Sequence, residues 1–89
     1  MKIVTIDNAK EGQFTHMFHC PGCKSGHGFS DKIWTYNNNP DKPTIRASIL
    51  VTYEIGVKVC HSFVTDGKIE FLSDSYHELA GQTVELPEL

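Results

Sequence analysis

Three cysteines and five histidines are the residues of this 89-residue chain best suited to chemistry, and two of the cysteines stand in Cys20-Pro21-Gly22-Cys23, with His27 following closely. That spacing is half of a zinc site. In C-x-x-C the Pro-Gly pair makes a tight turn that aims both sulfurs at one point, and its main-chain N–H groups can stabilise thiolates. A tetrahedral ion then needs two more ligands. Cys60, the remaining cysteine, supplies the third, and the fourth falls to His27, His61 or His77. His16 and His19 rank behind these, because strand histidines are more often exposed or hydrogen-bonded than metal-bound.

Other chemistries use the same residues. A zinc hydrolase or deaminase would hold the ion with Cys20, Cys23 and one further residue and use Glu78 or His61 as general base on a bound water. Zinc deaminases place their ligands at helix N-termini in a larger α/β fold, whereas this pattern is strand and turn. Redox work by Cys20-Pro21-Gly22-Cys23 would need a helix starting at the first cysteine, and none follows. A Cys60-His61 nucleophile pair is disfavoured because strand alternation sends the two side chains apart. Trp34, Tyr36 and Phe29 have the ring types of a nucleic-acid stacking platform, but a net charge of −3 with scattered Lys and Arg argues against a phosphate-backbone binder.

The size of the chain favours a metal. A domain of 89 residues gains only a few kcal/mol from its core alone, and small folds often recruit an ion to compensate. The expectation is one zinc-stapled β-domain over residues 1–89. Three cysteines cannot pair off into disulfides, and Met1-Lys2-Ile3-Val4 runs directly into a strand pattern, so a reducing cytoplasm is expected. Ile49-Leu50-Val51 is far too short to span a bilayer.

The elements that must position these residues read as strands. Lys2–Ile6 alternates, and Gln13–His19 is an extended segment delivering Cys20. Lys32–Tyr36 reads as a third strand, with Trp34 as a core anchor, and residues 37–43 as a loop. Thr44–Tyr53 puts Ile45, Ala47, Ile49 and Val51 on one side and Arg46, Ser48, Leu50 and Thr52 on the other. Gly56 ends that run, and the next strand spans Val57–Thr65. Asp66-Gly67 signals a type I′ hairpin into Lys68–Leu72, which fixes Val64 opposite Ile69, Ser62 opposite Phe71 and Cys60 opposite Ser73. His61 then faces away from Cys60. Ser75-Tyr76-His77-Glu78 has the form of a helix capping box, so one short helical turn is expected there, ended by Gly81. That turn begins close to Cys60 and makes His77 the chosen fourth ligand, with His61 and His27 as alternatives. Thr83–Leu86 forms a last strand. The fold class is mainly β, a small antiparallel zinc-ribbon-like sheet.

Three linked blocks carry a resemblance. They are Cys20-Pro21-Gly22-Cys23 with His27; Trp34-Thr35-Tyr36 through Pro43-Thr44-Ile45 and Ser48-Ile49-Leu50-Val51; and Cys60 through Lys68-Ile69 to His77 through Pro87. The chain resembles small bacteriophage and prophage proteins of the uncharacterised DUF6527 type, some of which occur beside ubiquitin-like conjugation genes. Many such relatives are labelled ammonia monooxygenase, a chemistry of membrane metal complexes that nothing in a chain of this size supplies. Relatives often carry cysteine where this chain has Ser75, and a long insertion between Val51 and Cys60 is reduced here to a turn around Glu54-Ile55-Gly56. The resemblance implies a small phage-encoded zinc protein in the host cytoplasm. A closed site of thiolates and one imidazole favours a non-enzymatic module binding a host or phage protein, with exposed sheet edges that leave room for a homodimer.

Overall fold

The computed structural model describes residues 1–53 and 58–89, so the expected turn around Glu54-Ile55-Gly56 lies outside the described residues. It contains two antiparallel sheets. The first joins β1 (Val4–Thr5), β2 (His16–Cys20) and β3 (Ser25–Phe29) in that order. The second joins β4 (Thr35–Tyr36), β5 (Ile45–Tyr53), β6 (Lys58–Thr65), β7 (Lys68–Phe71) and β8 (Thr83–Glu85), again in chain order. Mainly β is therefore right.

Alternation decides which residues go inside. Along β2, His16, Phe18 and Cys20 are buried while Met17 and His19 are half-buried, and along β6 the buried set is Cys60, Ser62 and Val64. Of these, Phe18, Cys20, Cys60 and Val64 meet in one cluster with Ile3, Phe29, Ile45, Ile49, Ile69, Phe71 and Leu86. The sheets thus share a core. Trp34 is half-buried and packs against it, as its anchor role requires.

The β6–β7 hairpin has the expected register, with Val64 opposite Ile69 and Ser62 opposite Phe71. Asp66 and Gly67 both have positive φ, 49° and 80°, the signature of the type I′ turn that Asp-Gly adopts at low cost. The ladder stops at Ser62 and Phe71 and does not reach Cys60 and Ser73. Leu72 N–H donates to the His61 carbonyl, and the chain then turns away.

Several expectations need correction. Residues 25–29 form a full strand that the sequence reading did not include; Pro21 to Lys24 are the loop of the β2–β3 hairpin. The third strand shrinks to Thr35–Tyr36, because Ile33 and Trp34 N–H both donate to the Ser30 carbonyl in a turn. The helical turn after Ser75 is absent: among the described residues there is no helix, and residues 77–82 make successive turns instead. The capping box fails because the Ser75 hydroxyl is engaged with β6. Ala47 is exposed, since β5 carries an irregularity between Ile45 and Ile49 that breaks the simple alternation.

Candidate functional sites on the two faces of one strand

The inward face of β6 carries a metal-type cluster. Cys20 ends β2, Cys23 lies in the hairpin loop, His27 is central in β3 and Cys60 is in β6. Their ligand atoms all lie within 4.8 Å of one another. Cys23 N–H donates to the Cys20 sulfur at 3.3 Å, as the turn chemistry of C-x-x-C requires. His27 Nδ1 lies 3.1 Å from the Gly26 carbonyl, so that its N–H donates there, and Nε2 is buried with no partner. An imidazole fixed through one nitrogen with the other left bare is the usual posture of a metal ligand. The donor set therefore fits an ion.

The charge state of the sulfurs points the same way. A hydrogen bond from Cys60 pulls Cys20 down to about 3 against the cost of burial, with His27 and the Cys23 N–H adding to it. Cys60 is pushed up, first by that same hydrogen bond with Cys20 and then by burial. The Cys20 and Cys60 sulfurs lie 3.9 Å apart, where a proton on either can be donated to the other. A cation takes the place of such a proton when it binds. Burial and then a hydrogen bond with Cys23 push Tyr53 up to about 12, and Tyr76 is raised first by its own hydrogen bond with Cys23. Both phenols thus stay protonated beside that sulfur.

The histidines separate. His77 Nε2 approaches the Cys60 sulfur at 3.4 Å, its Nδ1 is buried without a partner, and it lies outside the four-residue cluster. His16 is buried against Phe29 and Tyr36. His61 points to the face opposite Cys60, as strand alternation demands.

His61 belongs to a second constellation, which sequence reasoning missed. Its Nε2 lies 2.9 Å from Ser48 Oγ, and its Nδ1 lies 3.2 Å from Asp74 Oδ2. This is the order of a Ser-His-Asp triad: a hydroxyl on one imidazole nitrogen and a carboxylate orienting the other. Each member is held from behind. In β5, Ile45 pairs with Val64 and Ile49 with Ser62, so residues 46–48 stand against Phe63 alone. That bulge re-aims the chain at Ser48. The Trp34 indole N–H donates to the Ser48 carbonyl at 3.1 Å. His61 gives its main-chain N–H to Ser75 Oγ, and the Ser75 hydroxyl donates back to the His61 carbonyl, each at 3.1 Å. Ser75 so fixes Asp74 beside the ring.

A signal for the triad did exist. Ser48 falls on the side of β5 away from the core, and His61 on the side of β6 away from Cys60. Pairing those two strands puts both on one face. Sequence alone lacked the β5–β6 register, in which Leu50 lies opposite His61.

Among the described residues, no helix is long and apolar enough to cross a membrane. No curated protein and no solved structure matches the chain. One family model does, covering residues 1–72 and so Ser48, His61 and the whole metal-type cluster, with Asp74 and His77 just beyond it. With that extent of match, the chain belongs to the BubE family, described as the serine protease of a bacterial ubiquitination-like system.

Proposed function

We propose that this protein is a serine hydrolase that cleaves a peptide or isopeptide bond of a ubiquitin-like protein. The observation that carries the reading is the hydrogen-bonded chain from Ser48 Oγ through His61 to Asp74. His61, its Nδ1–H held by Asp74, takes the Ser48 proton on Nε2 as Oγ attacks the carbonyl carbon. The proton then passes to the leaving amine as the C–N bond breaks. Water, deprotonated by the same nitrogen, next attacks the acyl-serine, and Oγ recovers its proton. The family description supports both the reaction class and the ubiquitin-like substrate.

In this reading the metal is zinc, held by Cys20, Cys23, Cys60 and His27, and it fixes the strands beneath the triad. His77 then donates to the Cys60 sulfur instead of binding the ion. His27→Ala should lose zinc by elemental analysis and His77→Ala should retain it; the opposite result would make His77 the fourth ligand. The phage origin and host or phage partner implied by the resemblance are compatible with a protein substrate.

Labelling with a fluorophosphonate tests the catalytic reading. The Oγ–P bond forms, fluoride leaves and His61 accepts the proton. One adduct on Ser48, absent from Ser48→Ala, is expected. No adduct, or one that persists in Ser48→Ala, would overturn the reading and return a non-enzymatic binding role.

A further inference from the structure

A groove runs along β5 as far as Ile49, the residue after Ser48. Its volume is about 400 Å³, with residues 49–53 of β5 along one wall and 25–28 of β3 along the other, and Phe14 and Trp34 also lining it. Both walls are strand edges. β3 is the last strand of its sheet, and β4 covers β5 only at Ile45 and Arg46. Beyond Arg46, among the described residues, the outer edge of β5 has no neighbouring strand, and past Ser48, whose carbonyl the Trp34 indole takes, that edge can accept one.

We infer that this edge is the substrate strand site. An extended, uncharged peptide segment, made of the residues preceding the scissile bond, adds to β5 antiparallel and ends at Ser48. The inference rests on Ser48 being the nucleophile.

Four observations support it. The groove is continuous with the candidate site, because Trp34 both lines it and holds the Ser48 carbonyl. Every strand pair among the described residues is antiparallel. A strand added antiparallel to β5 runs from Tyr53 toward Ser48, so its C-terminal carbonyl arrives at Oγ; a parallel one would bring the amine side instead. Among the described residues no Asp, Glu, Lys or Arg lines the groove, so these walls offer a charged substrate side chain no partner. Finally, Leu50 and Phe14 are 54% and 51% exposed, an apolar offer to alternate side chains of the incoming strand. A side chain on Gly28 would collide with the Phe14 ring, so glycine there lets that ring lie against bare main chain.

The test uses diphenyl phosphonates carrying one to four uncharged residues ahead of the phosphorus, on the intact chain. Phenoxide leaves as the Oγ–P bond forms. The inactivation rate should rise about tenfold or more from one residue to four, since contacts remote from the reacting atom are used in the transition state. N-methylation of alternate peptide amides, a glutamate in the peptide, or Leu50→Glu in the protein should each reverse that gain. In Leu50→Glu the gain is read as the ratio of the four-residue to the one-residue rate, so that any change in the reactivity of Ser48 itself cancels. A rate independent of length and N-methylation, with Ser48 still labelled, would overturn the groove and leave the catalytic reading standing. If the fluorophosphonate leaves Ser48 untouched, catalysis falls, and the four-residue peptide acid decides the groove alone. Shifts of the amide resonances of residues 49–53 would sustain it, and their absence would end it.

Discussion

Ser48 shows how a residue can be placed by its neighbours more than by its own type. Serine is common in strands, and its hydroxyl becomes notable only because His61 stands 2.9 Å away on the adjacent strand. Ser48→Ala should abolish turnover of a ubiquitin-like fusion while leaving the melting temperature within a few degrees. Asp74 is 56% exposed, so solvent shares its hold on the ring. Asp74→Asn should slow labelling of Ser48 about a hundredfold, less than the ~10⁴ seen for a buried triad aspartate. The cysteines were legible, because C-x-x-C has a meaning independent of context and Cys60 was the remaining thiol; the histidine grouped with them was not, since His77 was chosen ahead of His27. The triad was not, because its members come from two strands and a loop, and only the β5–β6 register joins them.

At the scale of elements, β6 and the segment after β7 do most of the positioning. Consecutive residues of β6, Cys60 and His61, serve opposite faces because a strand has a period of two. The Asp66-Gly67 hairpin was legible since both residues favour positive φ. The helical turn was misread because Ser75, apparently a cap, spends its hydroxyl on the His61 main chain. Ser75→Ala would strand a buried N–H and cost about 1–3 kcal/mol in denaturant unfolding. It should also slow Ser48 labelling with zinc content unchanged, since the hydroxyl fixes Asp74 and not the ion. Gly22 makes the complementary case. A methyl there would strike the His77 ring, so Gly22→Ala should displace His77. If His27 completes the cluster, the variant keeps its zinc; loss of zinc would show that His77 matters to the site.

For the whole molecule, the Cys/His cluster brings the first sheet to the second, with Cys20, Cys23 and His27 on one side and Cys60 on the other, so that an ion held there would tie them together. A core this small gains much from such a tie. Removing zinc with a chelator should lower the melting temperature by ten degrees or more, by analogy with domains whose metal binding is their folding energy. Unfolding followed by circular dichroism, with and without chelator, checks this. The shared strand also bears on how inhibitors would sort this protein. On the proposed reading, a chelator acting beneath β6 would stop catalysis on its upper face, so that metal-stripping agents and serine reagents alike would inactivate the protein. The two should differ in time course: acylation blocks at the rate of Ser48 modification, whereas chelation blocks only as fast as structure is lost. Sensitivity to a chelator would then be a symptom of architecture, and a mechanistic class assigned from it would name the wrong atom as the reagent.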